Sequence, residues 1–502
     1  MVIMIIFLML SIAFVIGTAV YLNYKKKNIN RSIKQDNYQE QKNKSHKNKK
    51  QMKDLFQIEI KDNIVCLGNR YSNIIRLGNI DFNMLSNHEQ ESIESILIQT
   101  ALSIDYPVQF FSTTEFIDTS KVVSLIKQNN NNTRNFKIRE YKEYLIRYLE
   151  NLMENRTISV VKNYAIISYD GLYENAIDEL NRKSLSFKGN LLRAKIVCEI
   201  LNKDEINNLI YRELNKNSSQ NISHLQKGGK HLYVGKKQKQ KKKNIDIFNN
   251  IPSVMDILLP DELQEKKDYI VLGYNKYSRI FVMTVYPEQT WVSWLDDLFN
   301  IGNINISVKI EPSSNGNVIN QLTKKLVQSQ SEYATYSRQG NILHLPELEK
   351  QICDLEDLRM LIQTNQDKLF FATIFITLNA ESLQELNEKT KILESELNKK
   401  TSMIRTLTFR QLEGLKTILP LGDNPIPNYE RNMVAGGIAT LIPISNPNLS
   451  HDRGIFIGRN MYTNAPVYVD TFIGPPTLPN PHVFICGTSG RWKKCCSKNS
   501  DS

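Results

Sequence analysis

The sequence has little cysteine and histidine, and neither residue occurs at the spacing of a metal site. Six cysteines and seven histidines are spread over 502 residues. No two cysteines form a C-x-x-C pair. Zinc sites and disulfide-stapled folds need ligands or cysteines at short, recurring spacings. The pattern argues against both classes of protein and predicts reduced thiols in a cytosolic body.

The sequence also lacks a uniformly basic body. Its net charge of +12 comes from two lysine-rich segments, residues 25–53 with +9 and residues 227–243 with +8, so the remainder carries −5. The folded parts are therefore close to neutral, and bulk charge gives no evidence of a DNA-binding core. We predict a basic disordered linker at residues 25–53, near anionic headgroups, and a second Lys-rich linker at residues 217–250. For the second linker, a nucleic-acid contact is the alternative to a solvated charge run.

The chain has one long apolar run without a charged side chain, at residues 2–22. A helix of that length crosses a hydrocarbon core of about 30 Å. Tyr21 and Tyr24 fall where interfacial aromatics are favoured, and the lysines that follow keep the rest of the chain in the cytoplasm. A cleaved signal peptide is the alternative, but the basic n-region is missing. Residues 1–24 are therefore predicted as a single-pass anchor in the cell membrane.

Residues 54–216 are predicted to form an N-terminal α+β domain. Asn87 is expected to cap a helix, and the chain is expected to turn at Asp170 and Gly171. Strands are predicted from alternating or continuous apolar patterns at residues 56–60, 64–67, 108–111 and 158–169, and a second helix at residues 141–152. No catalytic constellation is present in this stretch.

Residues 251–415 are predicted to form a second α+β domain. Strands are expected at residues 269–273, 279–286, 304–310 and 369–378, the last apolar enough to be buried on both faces. A following helix places four leucines on one stripe, with two surface ion pairs, Glu385–Lys389 and Glu396–Lys400. The tryptophan pair Trp291 and Trp294 is interpreted as core packing. No internal repeat of fixed period is evident.

A glycine-rich turn follows an apolar stretch near the end of the sequence. A hairpin is predicted from the apolar patterns at residues 454–458 and 467–470. The apolar stretch 481–486 then leads to Gly487, Thr488, Ser489 and Gly490, the first half of a G-x-x-x-x-G-K-[ST] phosphate loop. Small residues allow backbone N–H groups to surround phosphate oxygens at the start of a helix. An ordinary turn at the end of a strand is the alternative.

The second half of the phosphate loop is missing, since Trp492, Lys493 and Lys494 stand where Gly-Lys-Ser is required. One permitted choice of codons for residues 492–502, read after the loss of one base, gives Gly-Lys-Ser and the apolar start of a helix. The single Trp codon forces Gly in that frame. We therefore interpret residues 491–502 as a frameshifted tail, produced by a one-base insertion.

The stretch 419–490 resembles the VirB-four-like ATPases of conjugation and type IV secretion systems of Gram-positive mobile elements. The matching features include Arg431, Met433, residues 439–443, the glycines at the hairpin and the turn at Gly487–Gly490. Residues 54–415 resemble the N-terminal domains of the family more loosely. The resemblance implies a RecA-like P-loop motor domain beginning at residues 416–490, of which the chain has only the opening strands.

The resemblance also implies cofactors and partners. ATP and Mg²⁺ would serve the full-length family, with a membrane-associated homo-hexamer, secretion-channel proteins and DNA as an indirect substrate. The intact Gly-Lys-Ser sequence of the phosphate loop and the metal-binding motifs are absent, so we expect neither tight cofactor binding nor hydrolysis. No catalytic residue and no metal ligand are predicted. Two alternatives remain: a non-catalytic, membrane-tethered docking protein of a secretion channel, and a membrane protein that binds DNA through its lysine segments.

Overall fold

The fold is built on one large antiparallel sheet with helices on both faces. The computed structural model describes residues 58–80, 82, 85–116, 123–124, 126–127, 136–154, 159–215, 260, 263–273, 276–340, 342–444, 454–459, 466–472 and 482–483. Within these residues the sheet has 13 strands, and a separate two-stranded hairpin follows it. The protein is therefore a mixed α/β structure.

The strands are short at the sheet edges and long at its centre. Their bounds are Glu59–Lys61 (β1), Ile64–Leu67 (β2), Arg70–Leu77 (β3), Val108–Phe116 (β4), Ser159–Asp170 (β5), Cys198–Ile200 (β6), Leu263–Glu265 (β7), Ile270–Leu272 (β8), Tyr277–Val285 (β9), Ile304–Pro312 (β10), Leu369–Ala380 (β11), Met403–Thr406 (β12), Arg431–Val434 (β13), Ile455–Arg459 (β14) and Pro466–Val469 (β15). The path through the sheet is β1-β2-β3-β5-β4-β10-β11-β9-β8-β7. Three further strands pair beside it: β6 with β3, β12 with β9, and β13 with β11.

Nine α-helices are present in the described part of the chain. Their bounds are Asn87–Leu102 (α1), Phe136–Glu154 (α2), Tyr173–Arg193 (α3), Lys203–Leu214 (α4), Asn315–Arg338 (α5), Leu345–Gln363 (α6), Leu383–Lys399 (α7), Gln411–Ile418 (α8) and Ala435–Ala439 (α9). Among the described residues, none of the helices combines the length and apolarity that a membrane crossing requires. The predicted anchor at residues 1–24 lies outside the described residues.

The two predicted α+β units supply strands to the same sheet. β4 of the first unit pairs with β10 of the second, from Val108 opposite Ile310 to Thr113 opposite Asn305. Residues 416–444 join this packing as well, because β13 pairs with β11 and α9 packs against α1. We call the sheet with its packed helices the sheet body.

The sheet body repeats itself along the chain. From the outer edge to the seam, the first half runs β1-β2-β3-β5-β4 and the second β7-β8-β9-β11-β10, with β6 and β12 as the matching side strands. Equivalent helices follow, α3 and α7 after the long central strands, then α4 and α8. Gly68 and Gly273 occupy the same turn and have φ of 61° and 60°. The equivalent strands β4 and β10 pair antiparallel with Phe111 opposite Ser307, as a local two-fold relation requires.

Two hydrophobic layers sandwich the sheet. One layer contains Phe110, Phe187 and Trp294 beneath helices α1, α3, α7 and α9. The other, which we call the strap face, contains Phe111 and residues of α4 and α8. β11 is buried along nearly its whole length because both of its faces are covered, which confirms the prediction from its continuous apolar run.

Local predictions are confirmed with a few corrections. The predicted cap at Asn87 was wrong by one residue: Asn87 is the first residue of the helix, and the N-cap is Ser86, which forms a capping box with Glu89. The Glu385–Lys389 pair is present at 2.7 Å. The prediction of a Glu396–Lys400 pair was wrong. Glu396 pairs with Lys399 at 2.6 Å, and Lys400 pairs with Asp297. Trp294 is buried but Trp291 is exposed, so the core interpretation of the tryptophan pair was half right.

Candidate functional site

The predicted phosphate-loop residues Gly487, Thr488, Ser489 and Gly490 lie outside the described residues. The described residues nearest to them are His482 and Val483, both exposed. Two described features lie upstream of this turn. The first is the hairpin β14–β15, and the second is a segment that crosses the strap face.

The hairpin β14–β15 confirms the predicted pair of strands. Its register runs from Ile455 opposite Val469 to Arg459 opposite Pro466. Gly454, at φ 135°, begins it with a backbone conformation that residues with a Cβ rarely adopt. A Cβ at this position would overlap with the backbone of Val469. Glycine is therefore required by both the dihedral angle and the close approach of the partner strand.

One face of the hairpin docks on helix α2 through aromatic rings. Phe456 lies 5.7 Å from Tyr468 across the hairpin and 6.4 Å from Tyr148 of α2, measured between ring centroids. Tyr148 in turn stacks on Tyr144, one turn earlier in the same helix, at 6.4 Å. Aromatic pairs at such separations contribute about 0.5–1.5 kcal/mol beyond their buried area. The contact fixes the hairpin to helix α2.

The opposite face of the hairpin is apolar and uncovered by described residues. Ile455 points away from Phe456 by strand alternation, and Ile457 lies at a β-bulge where the register shifts between Phe456 and Gly458. The two isoleucines are 53% and 57% exposed. Phe472, just after β15, is 81% exposed. A strand that is apolar on both faces is typical of a sheet covered on both sides. Strand β14 therefore has the composition of a core strand, with a layer on one side only among the described residues.

A short segment at the end of α8 crosses the strap face beside the seam. We call residues 417–422 the strap; they comprise the end of α8 and the Leu-Pro-Leu-Gly sequence after it. Gln109 of β4 lies under it and donates from Nε2 to the carbonyls of Ile418 and Leu419, both at 3.0 Å. Its Oε1 accepts from the backbone N–H of Gly422 at 3.0 Å. A side chain of the first half thus holds backbone of the second.

The last residue of the strap fits closely against strands β3 and β5. Arg70 binds Asp170 through two hydrogen bonds of 2.7 and 2.8 Å and also donates to the carbonyl of Gly422 at 2.8 Å. Ser72 and Ser168 are hydrogen-bonded to each other at 2.9 Å directly beneath Gly422. Gly422 has φ 77°, and a Cβ there would overlap with Ser168 Oγ and lie 2.5 Å from Ser72 Oγ. The strap therefore needs glycine at this position.

A buried amine lies under the strap. Lys309 of β10 is 4% exposed and donates from Nζ to Gln109 Oε1 at 2.6 Å. Burial lowers the pKa of Lys309 well below its usual value, and Arg70 lowers it further, whereas Asp423 and Glu311 act in the opposite direction. Neither Gln109 nor Lys309 was predicted as a functional residue from the sequence. Lys309 stands in the alternating stretch 304–310, whose pattern is that of a strand with one solvated face, so its burial gave no signal.

A second buried charge lies at the far end of β4. Glu115 accepts from Arg212 at 2.9 Å and from Tyr164 at 3.1 Å, and Lys162 lies 3.1 Å away. Burial opposes its ionisation, but the two cations outweigh burial and hold the pKa of Glu115 below its ordinary value. The carboxylate is fully engaged by partners that tie β4, β5 and α4 together. Its role is therefore structural.

The described residues offer no other chemical centre, and the comparisons with known proteins name no family. In this part of the chain no group of three or more His, Cys, Asp or Glu residues is arranged to hold a metal ion. The buried Cys66 and Cys198 are free thiols in separate places. The chain matches no model of a known protein family. No curated protein sequence matches it either.

Proposed function

We propose that this chain is a membrane-associated component of a conjugation or type IV secretion machine and forms the N-terminal part of its energising ATPase. The proposal rests on the resemblance of residues 419–490 to that family and on the half phosphate loop at Gly487–Gly490. The observation that carries it furthest is the hairpin β14–β15, whose outward face is apolar and exposed. Such a hairpin suits the first strands of a larger core, which a motor domain would supply.

The 502-residue chain is expected to lack ATPase activity. Phosphoryl transfer needs a lysine against the outer phosphates and a Ser or Thr hydroxyl on Mg²⁺. After Gly490 the chain has Arg491 and Trp492 and then two lysines, so the required glycine and hydroxyl are replaced. A bulky indole at the glycine position would prevent the close approach of backbone N–H groups to phosphate oxygens.

The test begins with the encoding DNA, sequenced from the Gly487 codon through several hundred bases. We expect an extra base near the Trp492 codon, followed by a long open frame that starts with Gly-Lys-Ser. Expression of the restored frame should give Mg²⁺-dependent ATP hydrolysis, while the 502-residue chain gives none. The matched control is the restored frame with its loop lysine changed to alanine, which should abolish hydrolysis and leave folding intact. A confirmed frame with nothing motor-like downstream would refute the proposal.

The second candidate is a non-catalytic docking protein tethered to the membrane. It is favoured by the sheet body, whose two hydrophobic cores are formed by described residues between Ile58 and Ile444. Under this alternative the cell makes only the 502-residue product, and that product copurifies with channel proteins. DNA binding by the lysine segments would instead appear as affinity that falls steeply with salt.

A further inference from the structure

The strap breaks the two-fold relation of the sheet body. The equivalent helices α4 and α8 differ in length, 12 residues against 8. Pro420 follows α8 closely, and proline stops a helix because it lacks an N–H and clashes with the preceding turn. The chain after Ile418 therefore leaves the helix and turns at Pro420 and Leu421, with its carbonyls presented to side chains of the first half. At the equivalent place in the first half, α4 simply continues to Leu214.

The two seam strands carry amides at equivalent positions with different tasks. Asn305 is the second residue of β10, as Gln109 is of β4. Asn305 donates from Nδ2 to Glu213 Oε2 at 2.6 Å and thereby ties helix α4 across the seam. Gln109 ties the strap across the seam in the opposite direction. Asn305 of the second half thus binds a side chain of the first half, and Gln109 of the first half binds backbone of the second half.

The orientation of the Gln109 amide is fixed by its partners. Its Oε1 accepts from two donors, the Lys309 amine and the Gly422 N–H. Its Nε2 faces acceptors, the carbonyls of residues 417–419 and the hydroxyl of Ser307. A flipped amide would set donor against donor and acceptor against acceptor. Lys309 therefore determines how Gln109 presents itself to the strap.

The strap has the features of a segment that opens locally. Residues 419–422 belong to no helix or strand, and the hydrogen bonds to Gln109, Arg70 and Ser72 are made by side chains. The backbone ladder between β4 and β10 does not include the strap, so it would survive opening. Leu419 and Leu421 are each 2% exposed and belong to the core of the strap face, so opening exposes apolar side chains and is a rare event of the kind that amide exchange detects.

We propose that the strap is a latch on the sheet body, which opens as a local unit, and that charging of the buried Lys309 amine drives the opening. An opened strap admits water to Lys309, so the open state accommodates the ammonium ion that the closed state disfavours. The charged groups around the amine are Arg70 on β3, Glu311 on β10 and Asp423 directly after the strap. The latch does not depend on the proposed motor function.

The direction of the effect follows from proton linkage. The pKa of Lys309 is lowered in the closed state and returns toward 10.5 when water reaches the amine. The open state therefore binds more protons, and lower pH favours it. Opening should become rarer as pH rises toward 10.5.

Hydrogen–deuterium exchange of the strap amides in the full chain tests this proposal. We expect the protection factor of the Gly422 N–H to rise with pH between pH 6 and 9, by at most about tenfold per pH unit because one proton is linked, and to be flat with pH in Lys309→Met. Gln109→Ala should reduce that protection about tenfold or more. Its matched control is Asn305→Ala, which truncates the equivalent amide and should leave strap protection unchanged. The amides of β4 and β10 report whether each variant is folded.

Two outcomes would overturn the latch. One is a pH dependence of Gly422 protection that is the same in Lys309→Met as in the unaltered chain. The other is equal loss of strap protection in Gln109→Ala and Asn305→Ala, which would mean that the seam opens as a whole. Arg70→Lys serves as a milder variant that retains a charge beside Asp170 and loses the bond to the Gly422 carbonyl. It should speed strap exchange less than Gln109→Ala but in the same direction.

Discussion

The substitution Gly422→Ala measures the free-energy cost of adding a Cβ where the strap packs against β3 and β5. Alanine at φ 77° costs about 1–2 kcal/mol because its Cβ crowds the carbonyl in the left-handed region. The added Cβ also overlaps with Ser168 Oγ and meets Ser72 Oγ. Relief of that overlap breaks the bond between the two serines or displaces the strap from Gln109. Loss of one or two such buried bonds adds about 2–3 kcal/mol. We therefore expect Gly422→Ala to lower the free energy of unfolding by about 3–5 kcal/mol.

Two other glycines supply matched controls. Gly340 has φ 69°, but nothing lies within 4 Å of the position of its Cβ, so Gly340→Ala should cost only the conformational term of about 1–2 kcal/mol. Gly436 lies in helix α9 with open space around it, and alanine there should be neutral or stabilising by up to about 1 kcal/mol. The difference between Gly422→Ala and Gly340→Ala then measures the packing of the strap alone.

The assay is equilibrium unfolding in guanidinium chloride, followed by the fluorescence of the buried Trp294. The decisive arm combines Gly422→Ala with Ser72→Ala and Ser168→Ala, which remove both hydroxyls beneath the strap. In that background the nearest remaining atom is Ser168 Cβ at 3.5 Å, an ordinary contact, so the cost should fall to that of Gly340→Ala. The reasoning is refuted if Gly422→Ala costs the same in both backgrounds, or costs no more than Gly340→Ala in the unaltered chain.

Three further predictions concern other parts of the chain. Glu115→Gln should lower the free energy of unfolding by about 1.5–3 kcal/mol at pH 7. Since the pKa of Glu115 is lowered in the fold, that loss should shrink as pH falls below 4.5; urea unfolding at pH 7 and pH 3 checks this, and a pH-independent loss would contradict it. Gly454→Ala should detach the hairpin without unfolding the sheet body, seen as faster amide exchange at β14 and β15 alone; unchanged exchange there would show that the close approach to Val469 is not limiting. Removal of residues 2–22 should move the protein from carbonate-washed membranes to the soluble fraction, with a deletion of residues 36–53 as control; retention of the shortened chain in the membrane would disprove the anchor.

Much of the local structure could be predicted because its cause is local. The continuous apolar run of β11, the turn after Asp170 and the leucine stripe of α7 each depend on a few neighbouring side chains. The hairpin β14–β15 was predicted from two apolar patterns separated by a polar turn. The cap at Ser86 was missed by one residue because both Ser86 and Asn87 are good N-cap residues.

The repeat could not be recognised in the sequence, because structurally equivalent strands need only similar burial and not the same residues. Phe111 and Ser307 face each other at the seam although one is aromatic and the other polar. The connections between equivalent strands also differ in length, so no fixed period survives along the chain. The seam itself pairs strands nearly 200 residues apart, and such long-range pairing depends on the tertiary structure.

The sequence by itself determined the strand and helix patterns, and it is the source of two predictions that stay predictions, the anchor at residues 1–24 and the half phosphate loop at Gly487–Gly490. Only the tertiary structure decided that the strands between Glu59 and Val434 share one sheet, and that Gln109, Lys309 and Gly422 meet at its strap. Periodicity reports which face of an element is buried, because that depends on the spacing of neighbouring side chains. It cannot report which distant backbone will cover a buried polar group. That partner is chosen by the fold, since a buried amine or amide is tolerated only where hydrogen-bonding partners are brought to it.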